Sequence, residues 1–497
     1  MSQALQNAQR YESEAERSIS PEERPLFHLS SRVGWMNDPN GLSRYRGEYH
    51  LFYQYHPYDS HWGPMHWGHA VSKDLLAWRY LPAALAPDES YDLGGCFSGG
   101  ALELPDGRHL LMYTGVADET QPNGEVRAVQ TQNLAFGDGI HYRKFEKNPV
   151  ITAADLPAGC SRFDFRDPRI WRLEDGSFRA MVACDRVDAD GQMLLFGSDD
   201  LTHWKYLSTP AQNNGRLGLM WECPDWFELD GYQVLLASAQ DMLPKGFEYH
   251  NGNGTFCLLG HLDGQGNFRE ISDQAVDYGI DFYAPQTILA PDGHRLMIGW
   301  MQNWDTCNLH TPSVPWFGQM SLPRELSIRN GRLCQAPLRE LEALRGKPVQ
   351  YRNVQIENGE IELDGISGRT VDLEISLEPG EELYNRFAVR VAKNDTFHTT
   401  VSFRPRESVL KVDRKFSGSR RAIIHQRRAR VDHQRGELTM RLILDRFSVE
   451  VFVNDGGKVM SATIPTDPSA DGIAFFADGK LSFSVTAWPL TADGRSG

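Results

Sequence analysis

Three acidic residues stand at matching positions in three similar segments of the sequence, and they are the first candidates for chemistry. Asp38 and Asp167 each come directly before a proline, and Glu222 comes two residues before Pro224. A single acid in such a turn commonly makes a hydrogen bond or a salt bridge, and Arg166 is an available partner for one of them. If all three lie together, their like charges raise one another's pKa, a cost that proteins accept mainly where chemistry uses it.

Two kinds of chemistry use clustered carboxylates. Their oxygens can bind Ca²⁺ or Mg²⁺, but hard cations prefer polar cages, and these segments contain large aromatic residues. The aromatic residues are Trp35, Phe97, Phe165 and Trp221. A pair of carboxyl groups that flank an acetal in an aromatic-walled pocket instead carries out glycoside hydrolysis. We therefore expect glycoside chemistry at this cluster, with no metal site and no organic cofactor.

The three acids differ in their neighbours, which suggests different roles. Glu222 is expected to be the proton donor, because burial beside Trp221 and repulsion from two aspartates would both raise its pKa. Asp38 is a short carboxylate in an Asn-Asp-Pro-Asn turn, which suits an ionised nucleophile. Asp167 follows Arg166 and should stay ionised, so that it can accept hydrogen bonds from two adjacent sugar hydroxyls.

A repeat in the sequence indicates the elements that position these acids. Five segments begin with an aromatic residue, pass through a turn that contains Gly and enter an apolar strand. They start at Trp35, Phe97, Phe165, Trp221 and Phe282. The starts lie roughly 60 residues apart, which is typical of long β-propeller blades, whereas a β-sandwich would show no such repeat. We predict an all-β chain whose five-bladed β-propeller brings the first strand of every blade to one channel.

The remaining segments complete the predicted domain organisation. Residues 1–24 are a polar N-terminal extension that could form a short helix or remain loose, and residues 25–334 form the propeller. Residues 335–350 carry leucines at helical spacing, which predicts a helical linker. Residues 351–497 alternate apolar and polar positions in short strands, which predicts a C-terminal β-sandwich of structural or accessory function.

Composition narrows the range of partners. A formal net charge of −15 disfavours nucleic acid and anionic membranes. The seven cysteines include no Cys-x-x-Cys pair, so we expect neither a disulfide framework nor a structural zinc site. The first residues are polar, unlike a signal peptide, and no apolar run is long enough to span a membrane. We therefore expect a cytoplasmic protein with a small-molecule sugar substrate, and any homo-oligomer is expected to form through the β-sandwich.

Several short motifs carry a resemblance to a known family. In chain order they are WMNDPNG, FYQ, WGPMHWGHA, CFSG, FRDP, WECP and FYAP in the propeller region, and LDRFSVEVFVNDG in the C-terminal region. Together and in this order they resemble glycoside hydrolase family 32, which comprises invertases, sucrose-6-phosphate hydrolases and fructan hydrolases. The resemblance spans the whole predicted propeller and extends into the sandwich.

This resemblance implies a propeller followed by a β-sandwich and retention of configuration at fructose C2. By match to the family's motifs, Asp38 would be the nucleophile, Glu222 the acid/base and Asp167 the transition-state stabiliser. The expected fructose subsite comprises Asn37, Gln54, Trp62, Phe97, Ser98, Arg166, Tyr283 and Trp304. One departure is Gly100, where the family usually has Ser, and its missing hydroxyl puts one pocket hydrogen bond in doubt.

The sequence therefore predicts a β-fructofuranosidase that hydrolyses sucrose or sucrose 6-phosphate by double displacement. Fructan (levan or inulin) exo-hydrolysis and fructosyl transfer are the alternatives among enzymes, because the motifs do not report how water and sugar acceptors compete. A non-catalytic sugar-binding propeller is the alternative outside enzymes. Retention of all three acids argues against it, because binding alone needs no protonated acid beside two carboxylates.

Overall fold

The computed structural model describes residues 1–187, 190–307, 314–378, 380, 382–418 and 424–492. Most of them lie in β-strands, which form a five-bladed propeller and a C-terminal β-sandwich, as predicted. None of the helices in these ranges is long and apolar enough to cross a membrane.

The N-terminal segment is helical and packs against the propeller. Helix α1 (Gln3–Ala15) begins where the Ser2 hydroxyl accepts a hydrogen bond from the Leu5 amide, and it buries Leu5, Ala8 and Glu12. Two 3₁₀ turns follow, at Glu16–Ser18 and Pro21–Glu23. The Glu12 carboxylate anchors the helix, because it pairs with Arg32 at 2.9 Å and accepts the Ala83 amide at 2.9 Å.

The first three blades contain four antiparallel strands each. Blade 1 comprises β1 (Gly34–Tyr45), β2 (Glu48–His56), β3 (His66–Ser72) and β4 (Arg79–Leu85). Blade 2 comprises β5 (Gly95–Glu103), β6 (His109–Thr120), β7 (Val126–Gly137) and β8 (Tyr142–Lys144). After a 3₁₀ turn at Ala153–Asp155, blade 3 comprises β9 (Cys160–Arg172), β10 (Phe178–Arg186), β11 (Gly191–Ser198) and β12 (Lys205–Gln212).

The last two blades repeat this pattern with one interruption. Blade 4 comprises β13 (Trp221–Leu229), β14 (Tyr232–Met242), β15 (Gly252–Leu262) and β16 (Phe268–Ala275). Blade 5 starts with β17 (Tyr283–Leu289) and β18 (Arg295–Trp300), after which come the short helix α2 (Trp304–Cys307) and the short strand β19 (Trp316–Phe317). It ends with β20 (Arg324–Arg329) and β21 (Arg332–Pro337). Strand β19 pairs in parallel with β1, so the chain joins blade 5 to blade 1 and closes the ring.

The C-terminal sandwich begins after a 3₁₀ helix at Arg339–Leu344, which buries Leu341 and Leu344. Its first strands are β22 (Val349–Ile361), β23 (Val371–Glu378), β24 (Arg386–Lys393) and β25 (Thr399–Arg404). A 3₁₀ turn at Pro405–Glu407 precedes β26 (Val409–Asp413) and β27 (Gln426–Arg430). The last strands are β28 (Leu438–Asp445), β29 (Ser448–Val453), β30 (Lys458–Thr463) and β31 (Gly472–Pro489).

One long strand belongs to both layers of the sandwich. The first part of β31 pairs with β24, which leads to β25, β26 and β27, and its second part pairs with β23, which leads to β28, β29 and β30. A strand that passes from one sheet into the other is a common way to form the corner of a sandwich. The two layers enclose a core of aliphatic and aromatic side chains.

Buried charged side chains join the sandwich to the propeller. His28 lies between Asp445 at 2.8 Å and Glu450 at 3.0 Å, and Arg324 contacts Glu450 at 2.6 Å and Asp277 at 3.0 Å. Burial alone would lower the pKa of His28, but the hydrogen bonds to Asp445 and Glu450 outweigh it and raise the pKa to about 9. The interface therefore holds a charged histidine at neutral pH. We call these five residues the interface cluster.

Candidate active site

The first strand of every blade contains a β-bulge at the same level of the central channel. The register shifts fall at residues 36–39, 97–99, 166–169, 222–225 and 283–286. A bulge turns a side chain away from the regular alternation of the strand. It also accommodates proline, which cannot donate to the ladder. In blades 1, 3, 4 and 5 the proline of the sequence repeat falls inside the bulge, and in blade 2 Gly99 takes part in it.

Three bulges place a residue other than glycine in the left-handed region directly before proline. The φ angles are 64° at Asp167, 50° at Cys223 and 52° at Ala284. Such conformations cost on the order of 1–3 kcal/mol each and are concentrated at functional sites. The strain therefore coincides with the level of the channel at which the candidate acids lie.

Four of the five bulges, those of blades 1 to 4, contribute residues to a cavity of about 520 Å³ in the channel. All three candidate acids, Asp38, Asp167 and Glu222, line it. Seven of the eight predicted subsite residues also line it: Asn37, Gln54, Trp62, Phe97, Ser98, Arg166 and Trp304. The structure thus brings together residues from four blades and from α2 that are distant in the sequence.

Asp38 is held through only one of its carboxylate oxygens. Ser98 Oγ donates to Oδ2 at 2.7 Å, and the Cys223 thiol lies 3.5 Å from the same atom. The other oxygen, Oδ1, is buried and has no hydrogen-bond partner among the described residues. Burial raises the pKa of Asp38, and the nearby charge of Glu222 raises it further.

Asp167 lies in the channel beside the same thiol. Its Oδ2 accepts a hydrogen bond from the Cys223 amide at 2.9 Å and lies 3.6 Å from Cys223 Sγ. Burial raises the pKa of Asp167 to about 7, against the opposing effect of Arg166 and with added repulsion from Glu222 and Asp38. The thiol itself stays protonated, because burial and the surrounding acids raise its pKa well above the usual value. Cys223 is thus a neutral spacer between two carboxylates.

Glu222 has the most hydrogen-bond donors of the three acids. Arg166 approaches its Oε1 with Nη2 at 2.9 Å and Nε at 3.2 Å. Its Oε2 accepts from Gln240 Nε2 at 2.8 Å and from Tyr283 Oη at 2.7 Å. All four donors hold the carboxylate in a fixed orientation at the cavity wall.

One expectation about the surroundings of these acids is wrong. Trp221 does not pack beside Glu222, because neighbouring side chains alternate on a strand. Its indole points into the blade core, where it contacts Phe256 and donates to the Leu217 carbonyl. Arg166 is a partner of one of the three acids, as the sequence suggested: its guanidinium reaches Glu222, and also Asp164.

The predicted subsite residues form the floor and walls of the cavity. Asn37 and Gln54 are buried, with Asn37 Oδ1 accepting from Trp35 Nε1 at 2.7 Å and Gln54 Nε2 donating to the Cys96 carbonyl at 2.9 Å. Trp62 is 46% exposed, and its ring meets that of Phe97 edge to face. Trp304 on α2 stacks on Trp35 with ring centroids 6.0 Å apart. The floor is therefore polar and the upper wall aromatic.

Two other expectations change in the structure. Tyr283 is buried, donates to Glu222 Oε2 at 2.7 Å and is absent from the residues that line the cavity. Gly100 faces the neighbouring blade, where an added Cβ would lie 3.1 Å from the Ile170 amide nitrogen and 3.2 Å from the Pro168 carbonyl. The absence of a serine hydroxyl there takes no hydrogen bond away from the cavity.

The cavity also contains residues that the sequence analysis missed: Arg127, Ala128, Gln130, Phe163, Asp164 and Gln240. Asp164 stands two positions before Arg166 and therefore on the same face of β9, a spacing that could have identified it. Gln240 reaches Glu222 only because β13 and β14 pair in a particular register. No local sequence signal identifies such a contact.

Comparisons with known proteins agree with this geometry. Residues 28–337 match the model described as glycosyl hydrolases family 32 N-terminal domain, and residues 340–489 match the model of the family 32 C terminal. A raffinose invertase of Escherichia coli is 35% identical over 491 residues, which cover 94% of this chain and 95% of that protein. A sucrose-6-phosphate hydrolase of Escherichia coli is 36% identical over 468 residues, which cover 91% of each.

A solved structure shows the same architecture. The Bombyx mori GH32 beta-fructofuranosidase superposes with a TM-score of 0.82 at 35% identity, covering 98% of each chain. Carboxyl groups facing one cavity are the catalytic arrangement of glycoside hydrolases, and the relatives named above are enzymes of that class. The two matching models together cover nearly the whole chain, and the chain belongs to glycosyl hydrolase family 32.

Proposed function

We propose that this glycoside hydrolase is a β-fructofuranosidase that releases fructose from sucrose or from sucrose 6-phosphate with retention of configuration. The observation that carries the proposal is the meeting of Asp38, Asp167 and Glu222 in one cavity at the channel bulges. The names of two relatives, an invertase and a sucrose-6-phosphate hydrolase, support this substrate class. A variant of the Bombyx mori enzyme in complex with sucrose supports it as well.

In the first step, Asp38 Oδ1 attacks C2 of the fructosyl group. This oxygen has no partner among the described residues, whereas Ser98 holds the other oxygen in place. The bond from C2 to the glycosidic oxygen breaks, and protonated Glu222 transfers its proton to that leaving oxygen. The products of the step are a fructosyl ester on Asp38 and a glucose or glucose 6-phosphate molecule.

In the second step, Glu222 acts as the base. It removes a proton from water, the water oxygen bonds to C2, and the ester bond to Asp38 breaks. Asp167 stabilises the developing positive charge and accepts hydrogen bonds from hydroxyls of the fructosyl ring. Arg166, Gln240 and Tyr283 keep the Glu222 carboxyl in position for both proton transfers.

The direct test is to incubate the purified protein with sucrose, sucrose 6-phosphate, kestose, inulin and levan and to measure the released monosaccharides. The proposal predicts release of fructose from sucrose or its 6-phosphate with the highest kcat/KM. Faster hydrolysis of levan or inulin would favour a fructan exo-hydrolase, and kestose formed from sucrose would reveal fructosyl transfer. Release of no monosaccharide from any substrate would contradict the enzyme assignment and favour a sugar-binding propeller.

Three further proposals accompany this function. We propose the domain division predicted above, with a propeller at 25–334, a linker at 335–350 and a sandwich at 351–497, although β21 continues through Pro337. We propose a cytoplasmic location, which cell fractionation tests. We propose that any homo-oligomer forms through the β-sandwich, which sedimentation of the full chain and of sandwich-surface variants tests.

A further inference from the structure

One cation at the cavity has no part in the mechanism described above. Arg127 lies at the start of β7, is exposed and lines the cavity. Its guanidinium carbon lies 3.6 Å from the centroid of the Phe163 ring, which also lines the cavity. An arginine stacked on an aromatic face is held in position while its N–H groups remain available to a ligand.

The positive charge of Arg127 is not neutralised within the described part of the chain. Glu119 stands opposite Arg127 in the β6–β7 pair, but its carboxylate pairs with Arg162. No carboxylate among the described residues forms an ion pair with Arg127. Arg166, the other cation that lines the cavity, differs in this respect because Glu222 and Asp164 both contact it.

Burial shows which end of the cavity Arg127 occupies. The floor is closed by Asn37, Gln54 and Asp167, each of which is 6% exposed or less. Arg127 is exposed and therefore stands at the mouth. Because the fructosyl group must reach Asp38 at the floor, the leaving sugar projects toward the mouth.

We propose that Arg127, stacked on Phe163, binds a phosphate group on the leaving sugar and so determines preference for phosphorylated over free sucrose. This inference rests on the proposed function. Without Arg127, a phosphate dianion would meet a cavity that carries the carboxylates of Asp38, Asp164 and Asp167, and like charges would repel it. A guanidinium at the mouth offsets that repulsion and supplies two parallel N–H donors that match phosphate geometry.

The test compares sucrose 6-phosphate with sucrose, which share the same scissile bond. The ratio of their kcat/KM values is measured for the wild type, Arg127→Gln, Arg127→Lys and the control Arg108→Gln. Arg108 is the control because it is a second blade 2 arginine that lies over a phenylalanine, Phe136, but it pairs with Asp106 and does not line the cavity. Hydrogen bonds to charged groups contribute enough that we expect Arg127→Gln to lower the ratio about tenfold.

The Arg127→Lys variant and a change of ionic strength test whether the preference depends on the charge and the geometry of Arg127. Arg127→Lys should retain part of the preference, because it keeps the charge but loses the bidentate geometry. Raising ionic strength should reduce the wild-type ratio, because salt screens the attraction to Arg127, and should leave unchanged or raise that of Arg127→Gln, because salt screens the repulsion by the cavity carboxylates. Arg108→Gln should behave as the wild type in both measurements.

Each outcome decides a separate question. A wild type that hydrolyses sucrose but does not prefer sucrose 6-phosphate, or an Arg127→Gln ratio equal to the wild-type ratio, would overturn the role of Arg127 and leave the proposed function standing. A wild type that releases fructose from neither substrate would overturn the proposed function itself.

Discussion

The cavity and the interface cluster both bury carboxylates, but the pKa of Asp38 and Asp167 in the cavity is raised, whereas that of Asp445 and Glu450 at the interface is lowered. At the interface, hydrogen bonds and charges from His28 and Arg324 overcome burial and lower the pKa of Asp445 and Glu450. The third interface acid, Asp277, pairs with Arg324, yet burial still raises its pKa. In the cavity, burial raises the pKa of Asp38 and Asp167, and Arg166 is engaged by Glu222 instead. The difference shows that burial alone does not identify a site. The distinguishing feature of the cavity is that two neighbouring buried acids, Asp38 and Asp167, form no ion pair with a cation of the described residues, whereas Glu222 pairs with Arg166.

This comparison makes its strongest prediction for Asp38→Asn. Removing the nucleophile should lower kcat on sucrose by roughly four orders of magnitude or more. The melting temperature should stay the same or rise, because the change removes a charge that has no cation beside it. Steady-state kinetics and thermal melting together check the prediction. Near-full activity in Asp38→Asn would contradict the assignment of the nucleophile.

At the interface the same kind of substitution should affect stability. Glu450→Gln leaves Arg324 and His28 without their shared carboxylate, and breaking a buried pair costs about 3–5 kcal/mol. The melting temperature should fall clearly, while kcat of the protein that remains folded should stay close to wild type. Glu374→Gln is the control, because Glu374 makes an exposed ion pair with Arg345 and should change stability by less than about 1 kcal/mol. Equal stability of the two variants would contradict the account of the interface.

The histidine of the interface cluster predicts a pH dependence of stability. Its folded-state pKa of about 9 lies above the ordinary value of 6.5. Charged His28 therefore stabilises the fold fully below about pH 6.5, and this contribution, on the order of 3 kcal/mol, is lost as pH rises to about 9. Denaturant unfolding at pH 6 and pH 9.5 should show the loss in the wild type and a smaller one in His28→Gln. Identical pH dependence in both proteins would rule out His28 as its source.

A smaller effect is expected for Tyr283→Phe, which removes one donor to Glu222 and leaves the ring in place. The kcat value should fall about tenfold, as expected for one hydrogen bond to a charged group, and KM should change little. Tyr278→Phe is the control, because Tyr278 also donates to a glutamate, Glu248, at 2.6 Å but lies outside the cavity. A tenfold rise in KM with unchanged kcat would instead place Tyr283 in contact with the sugar.

Much of this arrangement could be predicted from the sequence, for an identifiable reason. Each blade begins with an aromatic residue followed by a bulge, so the repeat located all five inner strands and put the three acids at one level. The predicted fold is confirmed. The prediction was possible because Gly-containing turns and apolar strands recur in every blade. Local rules of strand, turn and bulge were sufficient for this part.

The rest depends on contacts between distant segments. The sequence places Arg166 next to Asp167, but side-chain direction on β9 sends the guanidinium to Glu222. The contact of Gln240 requires the β13–β14 register, and the closure of the ring by β19 requires a parallel pair between the two ends of the propeller. None of these has a local signature. The same is true of the exposed cation at Arg127, which becomes informative only when its neighbours are known.

The most direct test of the account is to trap the covalent intermediate. Glu222→Gln should form the fructosyl ester with a fructoside that has a good leaving group, and hydrolyse it slowly because the base is missing. After quenching and proteolysis, mass spectrometry should find one added fructosyl group on the peptide that contains Asp38. An adduct on a different residue would contradict the assignment of Asp38 as nucleophile. Turnover of the same substrate without any adduct, with inverted configuration in the fructose first released, would contradict the double-displacement mechanism.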